Sequence, residues 1–367
     1  MTTSRNRRRV AGLATAGALV LGTLVSYSAQ AASPSAPPKA GSTSASDTAS
    51  STSGIPAMVD PVTDLGRQPR GSEPTWFDSI YFTSSVKANG HDFGIQVQTR
   101  VLPNIDEVAY RWTFAVTDKT TGWHDDYEAV VAADDYRWTE GKLDIKAPGL
   151  SWTGNADRQS VKVDTPFGSL DVDMESTGPA LNYASTGLFN LADVPAYEFA
   201  LPEMRTSGTL AIGNKKHRIR GTSWLDRQWG ELPQALTRWT WMNLSMPNGD
   251  KVAIWDAVGE KSEDSWATVL HPDGSYDVVD VEPLAKDASK PWVSPETGQT
   301  YPTRWTVRIP QLRTELAVWV TGTPAQEVQS ETPEGGYQEA TAAFAGKYNG
   351  KKVSGETYAE LNGNWRP

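Results

Sequence analysis

The sequence predicts an all-β protein built from two related antiparallel domains. Three observations carry that expectation. Tight-hairpin dipeptides punctuate the chain at Asn89-Gly90, Asn248-Gly249, Asp273-Gly274 and Asn349-Gly350. Two-residue hairpin loops need positive φ, which Asn, Asp and Gly tolerate. The flanks of these turns alternate with period two. Finally, Gly221-Thr-Ser-Trp224-Leu-Asp226 recurs as Gly355-Glu-Thr-Tyr358-Ala-Glu360, each copy after a basic hairpin. A duplicated β domain, with this strand near the end of each half, is the simplest account. Chance likeness of two Gly-rich strands is the alternative.

The elements follow in order. Residues 1–31 open with Arg5, Arg7, Arg8 and Arg9, continue through an apolar run from Val10, and end at Ala29-Gln-Ala31. This is the pattern of a secretory signal peptide, its apolar run short for the ~20 residues of a bilayer span. An uncleaved anchor is the alternative, and the arginine pairs admit the twin-arginine route beside the general one. Residues 32–71 begin as a Ser/Thr/Ala/Pro tract that buries too little surface to offset its ordering entropy, and are expected to form a disordered linker. The first domain is expected over 72–230 and the second over 231–367. In the second, Trp239-Thr-Trp241-Met-Asn243-Leu-Ser245-Met246 sets Trp, Trp, Asn and Ser on one face and Thr, Met, Leu and Met on the other. Trp305-Thr-Val307-Arg-Ile309 and Leu316-Ala-Val318-Trp-Val320 alternate likewise. Short helices are allowed near 183–192 and 284–288.

Composition narrows the function. The formal net charge is −10, and removal of the arginine-bearing leader makes it four charges more negative. That disfavours nucleic acid and anionic membrane as partners. No later segment is apolar enough to insert stably in a membrane. The chain has no cysteine, which excludes disulfides and a lipoprotein anchor. The histidines lack metal-ligand spacing, and His124-Asp125-Asp126 is expected in a turn as a solvated acidic loop. Neither a metal nor a cofactor is expected. No Gly-x-Ser-x-Gly elbow supports a serine hydrolase.

The unusual feature is fifteen tryptophans. They can be core residues, walls of a cavity for a large apolar or cationic ligand, or a stacking platform for sugars. Acids stand beside some of them. Residues i and i+2 share a strand face, so Trp224 and Asp226 point the same way, as do Tyr358 and Glu360. Inside a barrel, such a carboxyl would have a raised pKa and could donate a proton near neutral pH. The alternative is a structural acid paired with Arg205, Arg220 or Arg227. Asp256, in Ala253-Ile-Trp255-Asp256-Ala, is a third acid interrupting an apolar strand. The candidate catalytic residues are thus Asp256, Asp226 and Glu360, and the candidate ligand-binding residues Trp224, Trp239, Trp241, Trp255 and Tyr358.

Several stretches resemble, in order, the AttH-like / carotenoid 1,2-hydratase superfamily. They are Phe93 to Arg100; Met204-Arg-Thr-Ser-Gly208 followed by Gly221 to Gly230; Trp239 to Gly249; Trp292 to Pro310; and Tyr337 to Leu361. The likeness covers residues 72–367. It implies two lipocalin-like antiparallel β-barrels in tandem and a large, mostly apolar small molecule bound in or between them. Relatives of that kind include hydratases of isoprenoid double bonds, pericyclases and predicted hydrolases, so the resemblance leaves the reaction open. The family signature usually reads Asp-Arg-Glu-Trp; here it is Asp226-Arg227-Gln228-Trp229, and Gln228 cannot act as an acid. Gln338 stands before Glu339 where a tryptophan is frequent. In the sharpest expectation, Asp256 or Asp226 protonates an alkene, Trp241 and Trp255 stabilise the cation, and water adds. A non-catalytic carrier of a hydrophobic ligand and a secreted carbohydrate-active protein are the competing readings.

Overall fold

The structure is a computed structural model that describes residues 58–69, 75–102, 109–192, 194–231, 236–259, 263–330, 336–363 and 365. The expected signal segment, and the linker as far as residue 57, lie outside these. Residues 58–69, expected within the linker, are packed instead. Their few large apolar residues decide this: Val59 and Leu65 are buried in the first core.

Most described residues lie in two curled antiparallel sheets, one of thirteen strands and one of nine, and a two-stranded sheet pairs Trp292–Val293 with Thr300–Tyr301. In the first, Trp76–Ala88 lies between His91–Leu102 and Lys215–Glu231, and Lys215–Glu231 pairs onward with Val194–Ile212. In the second, Leu236–Ser245 lies between Lys251–Gly259 and Lys351–Asn362, which pairs onward with Gly336–Tyr348. In each sheet, then, the last long strand closes onto the first. The repeated hexapeptides sit on those two closing strands. The hairpin dipeptides are where the sequence places them: Asn89 and Gly90 have φ of 51° and 81°, Asn349 and Gly350 of 49° and 73°. The expected helices are only short 3-10 turns, Tyr183–Ser185 and Leu284–Asp287.

Period two gives each sheet two buried faces. One lines its own barrel: Phe82, Val97, Phe114, Trp152 and Leu225 in the first, and Met242, Leu244, Ile254, Trp305 and Phe344 in the second. The other meets its counterpart across the interface, where Tyr81, Trp224, Trp241, Trp255 and Tyr358 form a third apolar cluster. At ~25 cal/mol per Å² of apolar surface, several aromatic rings buried this way contribute several kcal/mol to holding the sheets together. The sheets approach closely at Gly94. A Cβ built there would collide with the Thr341 methyl group and the Tyr358 hydroxyl, so only glycine permits the contact.

Candidate active site

The interface holds a cavity of about 120 Å³. Its first wall comes from one face of the first sheet: Ser79 and Tyr81, Gln98 and Arg100, Asp226 and Gln228, and Glu198. Its second comes from Trp239, Trp241, Trp255, Tyr337 and Glu360. The cavity runs across the strands. At one side Trp255 Nε1 donates to Glu198 Oε2 at 3.2 Å. At the other, Tyr337 donates to Gln98 Oε1 at 3.2 Å and lies under the Arg100 guanidinium, 5.0 Å from it.

Asp226 is 5 % exposed. Its Oδ1 accepts hydrogen bonds from Tyr183 Oη at 2.9 Å and Trp224 Nε1 at 3.1 Å. Its Oδ2 is buried without a hydrogen-bond partner. A buried carboxylate oxygen without a donor is costly, and a proton on it lowers that cost by removing the charge. Burial accordingly pushes the Asp226 carboxyl up to about 8; the Tyr183 and Trp224 hydrogen bonds pull down, and the Glu360 charge pushes further up. Of the three arginines considered to neutralise it, two are engaged elsewhere and Arg220 is exposed. Arg227 points to the opposite face, paired with Asp78 at 2.5 Å and stacked over Trp138 and Trp229, while Arg205 pairs with Glu175.

Three more carboxyls join Asp226. Glu198 is held well above the usual carboxylate range, by burial first and the Asp226 charge second. Glu339 and Glu360 face each other across neighbouring strands, and each acts on the other's carboxyl. Burial raises both, and Arg100 and the Trp239 indole restrain Glu360. Tyr81 donates to Glu339 at 2.8 Å and Trp239 Nε1 to Glu360 at 2.6 Å.

Tyr183 completes the arrangement. Its hydroxyl accepts from Trp241 Nε1 at 2.9 Å while donating to Asp226. Ala184 and Ser185, after it, have φ of 49° and 66°, a left-handed turn that costs non-glycine residues energy. The turn is fastened from both sides, by Gly187 N to Tyr183 O at 2.7 Å and by Ala184 N to Thr268 Oγ1 at 2.9 Å on the second sheet.

The structure therefore brings together Asp226, Glu360, Trp224, Trp239, Trp241, Trp255 and Tyr358 in and around the interface. Three expectations need correction. These acids lie between the sheets and not inside a barrel, because the Trp224/Asp226 parity is opposite to that of core residue Leu225. Asp256 is not with them. It has the parity of Ile254, faces the second barrel, and takes hydrogen bonds from Ser265 Oγ at 2.5 Å and Leu284 N at 3.3 Å; burial raises it to about 6. A residue next to Trp255 in sequence points away from it in a strand. His124, Asp125 and Asp126 also lie in a strand, Trp123–Val131, and not in a turn. Among the described residues no three His, Cys, Asp or Glu side chains are grouped to hold a metal. Residues the sequence reading did not select are Tyr81, Tyr183, Glu198, Arg100 and Glu339. For Glu198 and Glu339 a signal existed: each is an acid inside an apolar strand, the pattern that singled out Asp256.

Residues 72–364 match the AttH-like family. The chain is 26% identical over 229 residues to the dehydratase asqC of Emericella nidulans, covering 59% of this chain and 65% of that protein. It is 25% identical over 214 residues to the kievitone hydratase of Fusarium solani subsp. phaseoli, covering 54% and 58%. The match thus spans less than two thirds of either relative. Among solved structures, an AttH protein of Nitrosomonas europaea superposes with a TM-score of 0.71 at 19% identity, over 85% of this chain and 98% of that one. The architecture is the tandem lipocalin-like one expected from the sequence, and the chain belongs to the AttH-like family.

Proposed function

We propose that this protein adds water to, or removes it from, an apolar small molecule held between the two sheets, with Asp226 as the acid. One observation carries this reading: a buried carboxyl, with one oxygen unpartnered and its pKa pushed up to about 8 by burial, lines a cavity walled by tryptophan. In hydration, the π pair of a trisubstituted alkene takes the Asp226 proton and leaves a tertiary cation. The electron-rich faces of Trp241 and Trp255 stabilise that cation. Water adds through its oxygen lone pair, and its surplus proton returns to the Asp226 carboxylate. Dehydration is the reverse, with a tertiary hydroxyl leaving as water. A general acid supplies about 10²–10⁴-fold. The names of the two sequence relatives, a dehydratase and a hydratase, support the same class of reaction.

The test is incubation with prenylbenzene in isotopically labelled water. The expected product is the labelled tertiary alcohol, and Asp226→Asn should form it at least about a hundredfold more slowly. A protein that binds prenylbenzene tightly and leaves it unchanged is a carrier. A sugar platform has little support: of the fifteen tryptophans only Trp319 is exposed, at 36 %. We further propose, from the leader pattern, that the protein acts outside the cytoplasm; an intact amino terminus on protein isolated from cells of its source would refute this.

A further inference from the structure

The two sides of the cavity differ in kind. At the Trp255 side lie indole rings and the buried carboxyls of Glu198 and Asp226. At the other, Ser79, Gln98, Arg100 and Tyr337 form a polar patch. Arg100 is the only cation among the described residues lining the cavity. Its side chain is 12% exposed, and it is fixed by Glu128 at 2.7 Å and Ser330 at 3.3 Å. A second arginine, Arg111, takes the other Glu128 oxygen at 2.7 Å, so Glu128 is shared between two guanidinium groups and does not fully neutralise Arg100. The Arg100 Nε–H is buried without a hydrogen-bond partner. A buried charged donor without a partner is costly, and a ligand oxygen that reaches it relieves that cost.

Register fixes the distance from this patch to the acid. Arg100 pairs with Ser79, and Ser79 with Gln228, and Asp226 lies two residues along its strand from Gln228. At ~4.8 Å per strand and ~3.4 Å per residue, the backbones of Arg100 and Asp226 stand roughly 12 Å apart. A molecule that reaches both side chains is elongated.

We propose that Arg100 docks a carbonyl oxygen of the substrate, and that the substrate is an elongated molecule with an oxygenated head at Arg100 and a hydrocarbon tail at Asp226. The carbonyl class follows from charge. The site already holds four acidic side chains, so a neutral acceptor satisfies the Nε–H without adding a further anion among them. The separation also keeps the guanidinium away from the cation formed at the tail. The inference rests on the function proposed above for Asp226, and binding can test it without turnover.

The probes are acetylnaphthalene and ethylnaphthalene, which share a shape and differ in the carbonyl oxygen; quenching of the wall tryptophans reports their binding. Wild-type protein should bind the acetyl compound about tenfold or more tightly, the range of one hydrogen bond to a charged donor. Arg100→Met should bind the two equally. Arg100→Lys, which keeps the charge and loses the Nε–H, should fall between and guards against a folding defect in the methionine variant. Asp226→Asn should keep the wild-type preference. If wild-type protein shows no preference, or either folded Arg100 variant keeps it in full, the docking role is overturned while the acid role of Asp226 stands. If Asp226→Asn hydrates prenylbenzene at the wild-type rate but the carbonyl preference still depends on Arg100, the acid role falls and the docking role stands.

Discussion

Asp226 and Glu360 hold matching places in the two halves of the molecule. Each lies on the closing strand of its sheet, two residues after an aromatic, opposite an aromatic of the first strand: Tyr81 for Asp226 and Trp241 for Glu360. Their partners on the preceding strand differ. Asp226 faces Ala200, whereas Glu360 faces Glu339. A lone carboxyl in an apolar site keeps a whole proton. A carboxyl pair shares one, and its charge is felt by its neighbours. The two acids hold equivalent places, and the residue across the strand decides whether a second carboxyl stands directly opposite: none at Ala200, one at Glu339.

Replacing each acid by its amide should separate their roles. Asp226→Asn has the largest expected effect, a loss of about a hundredfold or more in hydration of prenylbenzene. It should also change stability with a definite sign. The folded Asp226 titrates at about 8 against an ordinary 3.8. The folded state therefore binds more protons than the unfolded one between these values, and stability declines as pH rises from about 4 through about 8. Asparagine mimics the neutral acid, so the variant should lose less melting temperature than wild type between pH 6 and 9. Equal losses would mean that Asp226 is ionised throughout.

Glu360→Gln is the second test. It leaves the proton donor in place and removes the neighbouring charge that pushes Asp226 and Glu198 up. Asp226 should then ionise at lower pH. The alkaline limb of the pH–rate profile, near 8 in wild type, should move down, with a smaller change in the rate at pH 6. An unmoved limb would assign it to another group.

Tyr183→Phe should move the same limb the other way. The Tyr183 hydroxyl favours the ionised form of Asp226, so its loss raises that group. It also strands the Trp241 indole N–H, at a cost of about 1–3 kcal/mol. Opposite shifts from Glu360→Gln and Tyr183→Phe, read in one assay, would be hard to obtain from general loosening of the site.

How much of this was legible in the sequence follows from what a strand records. Parity is local, so the shared face of Trp224 with Asp226, and of Tyr358 with Glu360, could be read directly. The hairpins could be read because Asn89-Gly90 and Asn349-Gly350 need positive φ. Which face meets a second sheet is not local. Over residues 240–244 of the strand Leu236–Ser245 both faces are buried, one in a barrel and one at the interface, and apolarity does not distinguish them. Asp256 was selected for that reason: it looks like Glu198 and Glu339 in sequence and differs only in which way its parity points. Tyr183 was invisible because its place depends on a left-handed turn at Ala184, a residue with no preference for one. Arg100 lay within a recognised strand, but its role comes from the Glu128 and Tyr337 contacts across strands.

The smallest expected effect probes why the two halves differ. In the resemblance noted above, a glutamate is usual where this chain has Gln228. Gln228 lies opposite Glu198 in register and reaches its Oε2 at 3.5 Å. Gln228→Glu would place a carboxyl pair on the first sheet like the Glu339–Glu360 pair on the second. Two carboxyls at that spacing share a proton and repel once both ionise, so the pair would send its charge toward Asp226 as Glu360 does. The alkaline limb should therefore rise above its wild-type position, and melting temperature should fall modestly above pH 8 while staying near wild type at pH 6. A variant unchanged in both would mean that Gln228 is turned away from Glu198 in solution, leaving the difference between the two halves to Ala200 alone.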